Sequence, residues 1–319
     1  MAAPIPIRAW HWAGFILVIL VWVGLDLGVF HRAAREVKMR QALRWSVLWL
    51  VLALLFAGLL ARWRGREEAL QFLTGYLVEF SLSLDNVLAM AVIFASFGVA
   101  AEQQHRVLGV GMVGALLMRG LVIGAGAALL QRFHWLLYWM GLFLVVTGLR
   151  WGFSKPAAMR PQDNPAIRLA RKFFPVSAGF DGGRFVTRVG GRRALTPLAL
   201  VLLAVETTDL IFAVDSIPAV FAVTQNAFLV FTSNIFAILG LRWLYFVMAG
   251  AMGSFRYLRT GLACVLVFIG LKMLVARWWQ VPTSLSLGVV LVIVATAIVC
   301  STLAARREKG RANRPDAPA

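Results

Sequence analysis

Cysteine, histidine and acidic residues are all scarce in this chain. Among 319 residues there are two cysteines, four histidines and 14 Asp plus Glu. Cys264 and Cys300 lie inside apolar runs and form no CxxC pair, so neither a disulfide framework nor a thiolate metal site is supported. His11, His31, His105 and His134 all fall near the ends of apolar runs, where an interfacial residue is a simpler reading than a metal ligand. No P-loop motif occurs, which argues against direct coupling to ATP. The chain proposes no covalent chemistry, and the expectation is that it is not an enzyme and carries no cofactor.

Charge is sparse as well, at 14% of residues, whereas 61% are hydrophobic. A soluble chain of this length would divide into domains with polar surfaces. Here apolar runs of about 20 residues recur with short polar interruptions, the pattern of membrane-spanning helices. The fold class expected is all-α, a polytopic transmembrane helix bundle. The net charge of +18 sits mostly in loops between apolar runs, as membrane orientation requires, and no nucleic-acid reading module accompanies it.

About nine spans are expected, over 10–30, 44–60, 70–97, 107–130, 135–151, 195–223, 228–250, 257–276 and 285–303. The first is too long and too rich in Trp for a cleaved signal peptide. Trp10, Trp45, Trp63, Trp135, Trp151, Trp278 and Trp279 stand near span ends, as interfacial belts do. Lys and Arg concentrate on one side, at Arg32, Arg35, Lys38, Arg40, Arg106, the 155–193 segment, Arg256, Arg259 and the tail. The positive-inside rule then puts the N-terminus outside and the C-terminus in the cytoplasm. The short connection RWRGREE is basic on the opposite side and fits that rule least well. The 152–194 loop is the only sizeable soluble segment: it gates or regulates, or it is a basic tether fixing topology. Within it, RFVTRV between glycine pairs alternates like a small hairpin.

The sixth expected span holds Glu206, Asp209 and Asp215, each costly at membrane depth without a partner, a proton or water. It also repeats the third. Placing Asp85 on Asp215 sets Glu79 on Asp209 and Asn86 on Ser216, and each span is followed by an arginine in the next, Arg119 and Arg242. The chain therefore divides into two peripheral spans (1–69), a first three-helix repeat (70–151), the loop (152–194), a second repeat (195–277) and a last span with its tail (278–319). On the orientation above the two repeats are inverted, an arrangement that places substrate sites near the midplane at their interface.

Glu79, Asp85, Asn86, Glu206, Asp209 and Asp215 make an oxygen-only candidate metal site, suited to Mn²⁺, Mg²⁺ or Ca²⁺ rather than to softer ions. Arg119, Arg242 and Lys272 are candidate counter-charges for the unloaded acids. An acid without a partner at that depth is more easily held protonated, which offers a proton-for-cation exchange. The competing reading has the same acids and bases pair simply to lock helices together. Asp26, Thr207, Ser216 and Asn234 are supporting polar candidates; Asp26 serves equally as an interfacial cap, and Asn234 as a helix-to-helix hydrogen bond. Residues six apart point about 120° away from each other on an ideal helix, so unwinding is expected near Pro218 and around Ser81, Ser83 and Asn86.

These stretches resemble the TerC family of integral membrane proteins, which includes Alx-type manganese exporters. The resemblance rests on EFSLSLDNVLAM, on TPLALVLLAVETTDLIFAVDSIPAVFAVT and on SNIFAILGLRWLYFVMAG with the later LKML, and it spans nearly the whole chain. It implies export of Mn²⁺ from the cytoplasm across the bacterial inner (plasma) membrane, with Ca²⁺ as the alternative ion. It also implies inverted repeats, and it carries the family's acidic positions onto the six residues above and its basic positions onto Arg119, Arg242 and Lys272. The partners implied are the divalent ion, protons and the lipid bilayer. The alternative is a membrane-protein assembly or stress-response scaffold whose loop and tail recruit partners.

Overall fold

In the computed structural model, residues 7–30, 39–153, 164–249, 257–279 and 281–312 are described, with no side chains for 25–30, 249 and 305–312. The apolar runs become helices: α1 (Ala9–Phe30), α2 (Met39–Trp63), α3 (Arg66–Phe97), α4 (Ala101–Arg132), α5 (Leu136–Phe153), α7 (Pro197–Phe221), α8 (Ala227–Ala249), α9 (Leu258–Val275) and α10 (Thr283–Ala312). The short α6 (Pro165–Phe173) and a hairpin of β1 (Val186–Val189) and β2 (Arg192–Leu195) come between α5 and α7. Among the described residues, eight helices are long and apolar enough to cross a membrane, and α1 adds the apolar stretch Ala9–Gly24. In a bilayer the backbone must satisfy itself, which is why this composition yields helices and almost no sheet.

Local chemistry sets the boundaries. Gly98 ends α3 in the left-handed region, its N–H returning to Phe94 and Ala95 carbonyls. Thr196 caps α7, accepting from the Ala199 N–H, with Pro197 at the first helical position. The hairpin turns at Gly190 and Gly191, both with positive φ, so of the expected RFVTRV only VTRV forms β1, and the returning strand is RRAL beyond the glycines.

Packing joins each helix of the first triplet to its counterpart in the second. α3 contacts α7, α4 contacts α8, and α5 lies along α9. All three pairs run antiparallel: Gly75 meets Val220 while Asn86 meets Asp209, Gly120 meets Phe231 while His105 meets Phe246, and Gly141 meets Gly270 while Gly148 meets Ala263. At Gly141 and Gly270 the two backbones approach so closely that a Cβ on either would stand 3.1 Å or less from the other's carbonyl oxygen. The remaining spans lie outside this six-helix core. α2 packs on α8 and α3, with Trp45 stacked on Trp243, and α10 packs on α3 and α9.

One expectation is corrected. Neither α3 nor α7 unwinds; both are continuous helices through their acidic stretches. Pro218 falls in the last turn of α7, where it removes the ladder bond to the Val214 carbonyl without ending the helix, which continues to Phe221. Ser81 turns its hydroxyl back onto the Leu77 carbonyl, and Ser83 donates to the Glu79 carboxylate, so both are satisfied within the helix.

Candidate functional site

Arg119, on α4, is fully buried at the meeting of four helices. Its guanidinium donates to the Glu79 carboxylate on α3 and to Asp209 on α7, the latter at 3.0 Å from Nη2 and 3.4 Å from Nε. Asn234 on α8 accepts from Nη1 at 2.9 Å, and Ser216 on α7 accepts from it at 3.4 Å. Asn86 donates to Asp209 at 3.4 Å. The two acids that the internal repeat equates, Glu79 and Asp209, therefore grip one cation, and the equated pair Asn86 and Ser216 flank it. A buried arginine survives here because its charge is compensated and its donors are used.

Glu206 sits one turn before Asp209 and turns toward α4. A Cβ on Gly114 would stand 2.5 Å from Glu206 Oε2, and one on Gly111 would stand 3.2 Å from Oε1. Only a face without side chains at this spacing leaves room for the carboxylate. Glu206 and Asp209 line a cavity of about 30 Å³ together with Arg242, Met90, Met112 and Ile238. Arg242 is buried; its Nη2 lies 2.8 Å from His105 Nε2, and its guanidinium lies over the Trp243 ring.

Three acceptors in this region are buried without a hydrogen-bond partner: Glu79 Oε2, Asn86 Oδ1 and Glu206 Oε2. Buried polar atoms are ordinarily satisfied, so a concentration of orphan oxygens calls for a donor or a cation. Among the described residues no three Asp, Glu, His or Cys side chains converge closely enough to hold a metal ion. The guanidinium of Arg119 stands between the acids instead.

Of the sequence candidates, Glu79, Asn86, Asp209, Arg119, Ser216 and Asn234 come together directly, with Glu206 and Arg242 at the adjoining cavity. Asp85 and Asp215 do not join them. Both are half-buried on other faces of α3 and α7, Asp85 within the field of Arg259. Lys272 is half-buried on α9, within the field of Glu67 near the start of α3. Thr207 donates to the Leu203 carbonyl and accepts from Asn164 at 2.7 Å, a contact to α6 rather than to the cluster. Asp26 lies on α1, but its side chain is outside the described residues. Sequence reasoning missed Gly111 and Gly114, although their three-residue spacing in GVGMVGA marks a small-residue helix face. It also missed His105 as a partner of Arg242.

Residues 64–309 match the Integral membrane protein TerC family, more than half of the chain. The chain belongs to the TerC family. An uncharacterized membrane protein of Myxococcus xanthus is 48% identical over 296 residues, covering 92% of each chain. The Alx protein of Escherichia coli K12, whose name proposes a membrane-bound redox modulator, is 42% identical over 310 residues, covering 94% of this chain and 97% of Alx. Its Salmonella typhi namesake is 43% identical over 300 residues, covering 91% and 93%. No solved structure matches. This TerC protein is accordingly an integral membrane protein of helical architecture.

Proposed function

We propose that the protein exports a divalent cation, Mn²⁺ in the first place, from the cytoplasm in exchange for protons. The observation that carries the reading is the set of buried oxygens around Arg119: Glu79 and Asp209 from two different helix triplets, with Glu206 and Asn86 beside them offering unsatisfied acceptors. An oxygen-only donor set suits a hard divalent ion. In the arrangement described, Arg119 supplies the positive charge that the acids need. A dication entering by Glu206 and Asp209 takes over that role and lets the guanidinium withdraw. When the ion leaves, protons or Arg119 return to the acids, since unpaired carboxylates at this depth are too costly to persist.

We read the two triplets as inverted repeats, supported by the antiparallel packing of every counterpart pair, with the site at their interface. Alternating access then follows from rocking one triplet against the other. The expected topology keeps the N-terminus outside and the C-terminus in the cytoplasm of the inner membrane.

Reconstituted vesicles test the reading. Mn²⁺ should move into vesicles carrying the wild-type protein and should respond to an imposed pH gradient, whereas Asp209→Asn should abolish the flux in a protein that still folds. Flux that ignores the gradient would sink proton coupling. Competition by Ca²⁺ at equal concentration settles which ion the oxygen set prefers. A redox role of the kind named for Alx would draw on the free thiols Cys264 and Cys300, exposed on α9 and α10. Replacing both by Ser should leave Mn²⁺ flux unchanged.

A further inference from the structure

RWRGREE, the basic connection that fits the positive-inside rule least well, forms the corner between α2 and α3. Both helices are long and apolar enough to cross a membrane and only Arg64 and Gly65 join them, so the corner lies at one face of the bilayer, whichever face that is. α1 begins at the same corner, where the His11 ring lies 4.5 Å from the Trp63 ring, and runs antiparallel to α2 until Trp22 meets Trp49. Between α1 and α2, over Phe228 and Phe236 of α8, runs an apolar groove of about 540 Å³. From His11 to Trp22 it extends about 16 Å along α1, close to half of a hydrocarbon core of about 30 Å. Its lining residues Val18, Leu55 and Leu59 are exposed, so the groove opens sideways.

Two donors stand unpaired at the corner end of this groove. His11, which lines it, accepts at Nδ1 from the Arg8 N–H at 3.0 Å; the ring proton is therefore on Nε2, which is buried without a hydrogen-bond partner. Arg64, its side chain 7% exposed, donates from Nε and Nη2 to the Glu68 carboxylate at 2.8 and 2.7 Å, and its Nη1 is likewise buried without a partner. The guanidinium lies 5.7 Å from the centroid of the Trp63 ring, so both donors neighbour the last groove-lining residue of α2. Buried donors are ordinarily satisfied, and these two call for an acceptor. The corner is also cationic. Arg8, Arg62, Arg64 and Arg66 gather there with only Glu67 and Glu68, of which Glu68 is held by Arg64 and Glu67 accepts from Thr283.

We propose that the groove between α1 and α2 binds one phospholipid with an anionic headgroup: an acyl chain lies along it from Trp63 toward Trp22, and Arg64 Nη1 and His11 Nε2 donate to the phosphate. Trp63, half-buried beside both donors, is the side chain that turns aside to admit the phosphate. An apolar channel open to the bilayer takes a hydrocarbon chain, unpaired donors take oxygen acceptors, and an excess of arginine favours anionic over zwitterionic lipid. The assignment also gives RWRGREE a reason to be basic that is independent of topology. The proposal stands apart from the transport reading.

The test uses the full-length protein purified in detergent, incubated with equal amounts of phosphatidylglycerol and phosphatidylcholine and examined by native mass spectrometry. The wild type should retain one phosphatidylglycerol in preference to phosphatidylcholine, by about fivefold. Gly14 lines the groove and a Cβ there would meet nothing within 4 Å, so Gly14→Leu should fill the groove and remove the bound lipid. Gly24→Leu, equally unobstructed on the same helix but outside the groove, should keep it. Each change replaces a helix-interior glycine with a better helix former, so unfolding midpoints should not fall. His11→Phe keeps a ring beside Trp63 without the donor, and Arg64→Gln/Glu68→Gln removes the guanidinium together with its acid; both should hold a lipid but lose the preference for phosphatidylglycerol. Equal retention of the two lipids by the wild type, lipid retained in Gly14→Leu, or an undiminished preference in either headgroup variant overturns the proposal. So does a wild-type dimer that Gly14→Leu converts to monomer, which would assign the groove to a second copy of the chain.

Discussion

Arg119 donates to two carboxylates, an amide oxygen and a hydroxyl, all on buried side chains. Removing it leaves Glu79 and Asp209 as buried charges without a partner, a loss of about 3–5 kcal/mol. Arg119→Met should therefore lower the thermal unfolding midpoint in detergent sharply. Neutralising the acids as well, in Arg119→Met/Glu79→Gln/Asp209→Asn, should restore most of the loss. If the cluster only locks helices, that triple variant would regain stability and retain Mn²⁺ flux; the export account has it regain stability and remain inactive. Glu206 makes a different case, since it has no arginine partner in the cluster. Glu206→Gln should cost little stability and eliminate flux.

Two glycine-dependent contacts matter among the helices. The bare face of α4 at Gly111 and Gly114 is what admits Glu206, so Gly114→Ala should displace the carboxylate and reduce Mn²⁺ flux at least tenfold, a shift of about 1.4 kcal/mol in barrier terms. Gly124→Ala on the same helix, where nothing lies within 4 Å, should be silent. On α5, Gly148→Val would drive a side chain into the Ala263 carbonyl and Val267 on α9, costing about 1–3 kcal/mol in unfolding experiments. The spans themselves were legible from sequence because a run of about 20 apolar residues has one solution in a bilayer. The acids of the cluster were legible as types and positions. What the sequence could not convey was which faces meet. Glu79 and Asp209 turn inward while Asp85 and Asp215, six residues on in each case, turn elsewhere, and continuous helices keep them apart. The Asn164 to Thr207 bond joins residues 43 positions apart, beyond the reach of any local pattern.

In the whole molecule two helix triplets pack antiparallel around the buried Arg119, with α1, α2 and α10 outside them. The proposed topology predicts that a fluorescent protein fused at the C-terminus glows, while an alkaline phosphatase fusion there is inactive; the opposite pair of results would reverse the orientation. The central claim is that Arg119 and the exported ion exchange places at the same carboxylates. Anomalous X-ray scattering from crystals soaked in Mn²⁺ tests it most directly. The account predicts a single strong peak within bonding distance of Glu206 and Asp209, with the Arg119 guanidinium drawn away from Asp209. Manganese bound elsewhere, with the Arg119 pairs to Glu79 and Asp209 intact, would contradict it.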